Sequence, residues 1–211
     1  MNEFDEVRSV SARLKAAAYA GILSLLLIPP EIFLEESLRA NPGTLWILAS
    51  ISLIYILNVA LAVVFYRGFI LIGRRLDHSS IVVGSMIIIL LNFAWYGFQV
   101  YALRGPVSFY GVYGGVVLVV FGASRLLFGH GIYRARDTLG GLAMPIAILE
   151  LVIGLFLMSV RFYLVGFVLS LVAVVLQIML LLRLASAEGS WLQEGRSGAR
   201  RSVPPANRGM N

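Results

Sequence analysis

Apolar side chains come in six long runs separated by short polar punctuation, and these runs set the first reading. A helix crossing about 30 Å of hydrocarbon takes roughly 20 residues. The chain offers runs of that scale at about 14–34, 45–66, 80–102, 107–129, 139–160 and 162–184. The first is clean only from Leu14 to Ile28, where Pro29 and Pro30 follow; adjacent prolines predict a short or kinked span. Ahead of it, Phe4, Val7, Val10 and Leu14 recur at helical spacing among charges. That spacing predicts an amphipathic segment over 1–13 lying on the membrane surface. Residues 29–44 predict a short outer helix, with Pro30 and Glu31 at its start, Arg39 in its last turn and Asn41-Pro42-Gly43 at its end.

The pattern inside each run predicts which side meets protein. In lipid, helices associate through close packing of small residues and occasional polar links, because burial from water no longer drives them together. Small residues recur at spacings of three and four as Ala17, Gly21 and Ser24 in the first run, and as Gly111, Gly115, Gly122 and Gly129 in the fourth. The fifth carries Gly140, Ala143, Ala147 and Gly154, and the sixth Gly166, Ser170 and Ala173. The third run differs, with a polar stripe of Ser85, Asn92, Tyr96 and Gln99, and the second has Asn58 and Ala62 on an Ile/Leu surface.

Composition turns this pattern into a class. Of 211 residues 59% are apolar and 13% charged, about half the charged share of a soluble domain, so the chain reads as an all-α polytopic membrane protein without a sizeable soluble domain. The formal charge of +6 raises the question of nucleic acid, but the basic residues lie in short loops beside apolar runs, where orientation in the membrane accounts for them. Counted by side, and with Arg125 and Arg183 at the adjoining helix ends included, 14 of the 17 Lys and Arg fall with the N-terminus, the 67–79 and 130–138 loops and the tail, leaving Arg39, Arg104 and Arg161 opposite. The expectation is a six-helix bundle in the cell membrane with both termini cytoplasmic. Residues 185–211, rich in Gly, Ser, Arg and Pro, read as a flexible basic cytoplasmic tail. There is no cysteine, and His78 and His130 are the only histidines, so neither a thiol nor a metal-site motif is present, and no cofactor is expected.

The residue that asks for an explanation is Glu150, the one acid within AMPIAILELVIG (143–154). A charge at mid-bilayer costs roughly 3 kcal/mol on insertion scales, so it should be neutralised or paired. It falls on the small-residue side of its run, about eleven residues from either end. Arg125 is the candidate partner: in a hairpin turning near residue 134 the two side chains lean toward each other. The competing reading has Arg125 snorkel to the headgroups. Asn58 and Asn92 fall at similar depth, so Glu150, Asn58 and Asn92 form a candidate midplane polar site of the kind transporters use; interhelical hydrogen bonding is the plainer account of the asparagines. Gln99 and Gln177 read as packing. Glu31, Glu35 and Glu36 read as a solvated helix face rather than a cation site. Ser124 in FGASRLL lacks a serine-protease context, and paired acids for intramembrane aspartyl chemistry do not fall in one layer.

FILIGRRLDHSS (69–80) and GHGIYRARDTLG (129–140) align at an offset of 60 through Ile72/Ile132, Arg74/Arg134 and Asp77/Asp137, which raises the prospect of a parallel duplication. Short spans, Gly-rich fourth and fifth runs and this I-x-R-x-x-D inner turn before an Ile/Leu-rich run resemble the uncharacterised families of small polytopic membrane proteins found mainly in archaea. The resemblance implies an archaeal source and a helical membrane fold; it brings no reaction, ligand or catalytic residues. The expected role is therefore a non-catalytic accessory or assembly subunit, in contact with lipid and with a membrane protein partner or a second copy. The alternative is a small-solute or ion transporter or channel whose site is built around Glu150.

Overall fold

A helix satisfies its backbone donors and acceptors within its own segment, which is the condition for placing a chain in hydrocarbon, and the apolar runs adopt that form over most of their described residues. The computed structural model describes residues 3–41, 44–102 and 112–187. Among them lie seven helices and no strand: α1 (Glu3–Ala40), α2 (Leu45–Arg75), α3 (Ser79–Ala102), α4 (Val112–Arg134), α5 (Arg136–Leu139), α6 (Ala143–Met158) and α7 (Tyr163–Ser186). Five of them, α1, α2, α3, α4 and α7, are long and apolar enough to cross a membrane. The fifth apolar run forms the shorter α6, whose 16 residues rise about 24 Å, preceded by the single turn of α5.

The first helix departs most from expectation. The surface segment, the first span and the outer helix over 29–44 form one 38-residue helix that runs through Pro29 and Pro30. Proline fixes φ near the helical value, so its cost is the lost donor and a local clash, and membrane helices tolerate that cost. Where its side chains are described, the segment before residue 14 packs against the bundle. Val10 and Leu14 are buried with Ala17 and Ala18, and the Ser11 hydroxyl donates to the Ala185 carbonyl of α7 at 2.7 Å. The apolar face of the approach to α1 continues the apolar face of the span, so both pack inward. Of the tail expected over 185–211, residues 188–211 lie outside the described residues, as does the 103–111 segment.

The six longer helices touch in the order α1, α2, α3, α4, α6, α7 and back to α1. Across the inside of the ring, Tyr66 and Phe69 of α2 meet Phe128 of α4 edge-on, at centroid distances of 6.1 and 5.2 Å. Ile72, Ile81, Ile132 and Leu181 fill the same core from four helices. The α4–α6 seam is the tightest. A Cβ on Gly122 would stand 2.6 Å from the Gly154 carbonyl, and one on Gly154 would stand 2.8 Å from the Gly122 carbonyl. The small stripes of the fourth and fifth runs therefore face each other, as close helix packing in lipid requires. Two turns further along α4, Gly129 admits the Glu150 side chain, whose Cβ lies 2.9 Å from where a Cβ on Gly129 would be.

Candidate functional site

Glu150 enters the interior between α4 and α6 because glycine lines the opposing wall, and it is completely buried, with 0% of its surface exposed. From α4, Arg125 Nη1 donates to Glu150 Oε1 at 2.9 Å and to Oε2 at 3.1 Å. From α7, Gln177 Nε2 donates to Oε1 at 2.6 Å. Arg125 does not reach the headgroups: its side chain is only 7% exposed, and its guanidinium stands 5.6 Å from the Phe121 ring centroid with Tyr66 against it as well. The direction of the Cα–Cβ bonds explains the choice. Each side chain leans toward its own helix N-terminus, and in this antiparallel pair those directions converge. A carboxylate and a guanidinium so placed cancel in charge, and three helices share the bonds. Two buried polar atoms of the cluster stay without partners, Arg125 Nε and Gln177 Oε1.

Asn58 is almost fully buried, at 2% exposure, yet it does not join Glu150. Its Nδ2 donates to Glu31 Oε2 of α1 at 2.6 Å. Three residues earlier on α2, the Tyr55 hydroxyl donates to Glu35 Oε1 at 2.7 Å, and the Tyr55 ring lies 5.2 Å from the Tyr96 ring of α3. The helix that continues through the prolines puts Glu31 and Glu35 four residues apart on the side facing α2. Two of the three acids expected on a solvated face are thus half-buried against a neighbouring helix. Only Glu36 behaves as expected, pairing with Arg39 in the open at 2.7 Å. Asn92 joins neither group: its Nδ2 donates to the Ile88 carbonyl of its own helix at 2.8 Å.

The structure therefore brings Glu150 and Arg125 together and places Asn58 and Asn92 elsewhere. The sequence reading missed Gln177 as a partner, and it missed the pairing of Glu31 and Glu35 with α2. A signal for the second existed. Glu31 and Glu35 are spaced i, i+4 on one helix, Tyr55 and Asn58 i, i+3 on the next, so each pair presents one face. The assumption that Pro29-Pro30 ends the helix hid it. Among the described residues no group of three or more His, Cys, Asp or Glu is arranged to hold a metal ion. Comparison with known proteins finds no matching family model, no matching curated protein and no matching solved structure.

Proposed function

We propose that this protein is a non-catalytic, multi-pass membrane protein that serves as an accessory or assembly subunit of a membrane complex. One observation carries the reading: the fully buried Glu150 has both carboxylate oxygens engaged by Arg125 and Gln177 and no exposed surface. A group so enclosed joins α4, α6 and α7 and has no oxygen to offer a solute. The reading includes six spans, with α6 as the short one, and both termini in the cytoplasm, on the strength of the basic residues that gather on one side. Gentle extraction from native membranes followed by sizing and mass spectrometry tests the role. Co-isolation with a defined membrane partner is expected, and recovery as a lone monomer overturns it. The chain has no cysteine, so single replacements report sidedness directly. Asn41→Cys should react with an impermeant maleimide on intact cells, and Ser186→Cys only after permeabilisation.

Transport of an ion or small solute is a second reading, favoured by the α1–α2 acids rather than by Glu150. There Asn58 Oδ1 is buried without a partner next to two half-buried carboxylates. Flux into vesicles compared between the wild type and Glu31→Gln tests it, and an unchanged flux removes it.

A further inference from the structure

The seam between α1 and α2 opens outward near the end of the ring that holds the N-terminus. Gly68 sets its geometry: a Cβ there would lie 2.7 Å from the Ala17 Cβ and 3.2 Å from Leu181 Cδ2, so α1 crosses α2 closely at this turn. Beside the crossing lies a groove of about 580 Å³. Arg13 of α1 and Arg67 and Arg74 of α2 line it, and its apolar wall is made by Val64, Ile70 and Leu71. Arg67 and Arg74 are seven residues apart, two turns along one face, about 10 Å. All three arginines are exposed, and none has a hydrogen bond or ion pair among the described residues.

We propose that this groove binds one anionic phospholipid of the leaflet on the N-terminal side, its phosphate held by Arg13, Arg67 and Arg74 and an acyl chain laid along Val64, Ile70 and Leu71. Three arguments converge. Guanidinium forks match phosphate oxygens in pairs, and three cations around one groove, without an ion pair among the described residues, ask for net negative charge, which a zwitterionic headgroup lacks. The 31 residues of α2 extend about 46 Å, beyond the roughly 30 Å of hydrocarbon. Its last turns therefore stand at headgroup level, where basic pockets between helices receive lipid phosphates. The arginines are joined by an apolar wall on the lipid-facing side, which a soluble anion has no use for.

Lipid binding to the full chain in neutral detergent, followed by native mass spectrometry during titration with phosphatidylglycerol or phosphatidylcholine, tests the site. One phosphatidylglycerol should bind in preference to phosphatidylcholine. The triple variant Arg13→Gln, Arg67→Gln, Arg74→Gln should lose about a hundredfold in affinity, at roughly 1 kcal/mol per cation. A control that removes three charges outside the groove, Lys15→Gln, Arg134→Gln, Arg136→Gln, should bind at least about tenfold more tightly than the groove variant. Equal losses in the two sets would reduce the effect to diffuse surface attraction and overturn the site, as would equal affinity for the two lipids. Ala16 also lines the groove and is exposed, so Ala16→Trp fills it while leaving every charge and the core in place. It should displace the lipid as fully as the triple variant does; retention of the lipid would overturn the proposal independently of any folding defect in the arginine variants.

Discussion

Glu150 and Glu31 each accept a hydrogen bond of 2.6 Å from an amide on a neighbouring helix, and the two regions around them resolve the cost of a membrane carboxylate differently. Beside Glu150 stands Arg125, and the carboxylate of the pair has no exposed surface. Beside Glu31 stands a second acid, Glu35, and both take their bonds from neutral donors, Asn58 and Tyr55. Among the described residues neither has an ion pair. The difference follows from burial. A fully enclosed carboxylate needs a counter-charge within reach, because nothing else offsets its lost hydration. The α1 acids are only half-buried and keep part of theirs. The α4–α6–α7 group is thus a closed electrostatic lock, and the α1–α2 group is an open one.

The sharpest way to break the comparison is to remove one charge from each region. Arg125→Leu leaves the Glu150 carboxylate enclosed and unpaired, which costs about 3–5 kcal/mol of stability. Replacing both partners, Arg125→Leu with Glu150→Leu, should recover most of that loss, since apolar side chains of similar volume substitute for a buried pair at little net cost. Glu31→Gln should by contrast change stability by less than about 1 kcal/mol, within the range of an exposed or half-exposed polar change. Denaturation in mixed micelles, read from tryptophan fluorescence, measures all three. If the single and double replacements at the lock are equally unstable, packing rather than charge holds the three helices, and the contrast collapses.

A finer test keeps the charges and removes the amides. Gln177→Leu and Asn58→Leu delete the same donor chemistry, one from the closed region and one from the open one. Gln177 bonds an acceptor that no water can reach, and its loss should cost about 1–2 kcal/mol. Asn58 bonds a carboxylate that retains partial hydration, so its loss should stay near the 0.6 kcal/mol average for interhelical bonds in membranes. Both amides also leave a buried oxygen unpaired, which trims both losses equally and leaves their order unchanged. The reverse order would mean that the α1 acids are the more enclosed.

Much of this contrast was legible in the residue pattern where it rested on period and size. The small stripes of the fourth and fifth runs predicted the α4–α6 seam, and the lean of side chains along their helices pointed Arg125 at Glu150. What escaped the sequence depended on which faces of the helices meet. Gln177 sits on the last span, and although α7 follows α6 directly in the chain, only the packed structure shows that the Gln177 face of α7 meets Glu150. Asn58 was grouped with Glu150 by depth alone, although depth says nothing of azimuth around the ring. The internal echo misleads in the same way: it pairs Glu150 with Leu90, yet Leu90 is 67% exposed and Glu150 is fully buried. Local rules also overstated Pro29-Pro30, whose strength as a breaker in water is reduced where the backbone has no alternative partner.

The smallest expected effect bears on Asn92, which residue counting along the runs set at a depth similar to that of Glu150 and by depth alone assigned to one site with it. Its amide donates to Ile88 O four residues back, a carbonyl that the helix ladder already employs. Such a back-bond serves mainly to satisfy a polar group that lipid cannot. Asn92→Leu removes both the need and the bond, so stability should stay within about 0.5 kcal/mol of the wild type. The same unfolding measurement used for the amide pair decides it. A loss as large as that for Gln177→Leu would mean that Asn92 holds another helix, and the ring would then contain a third polar region between the closed and the open one.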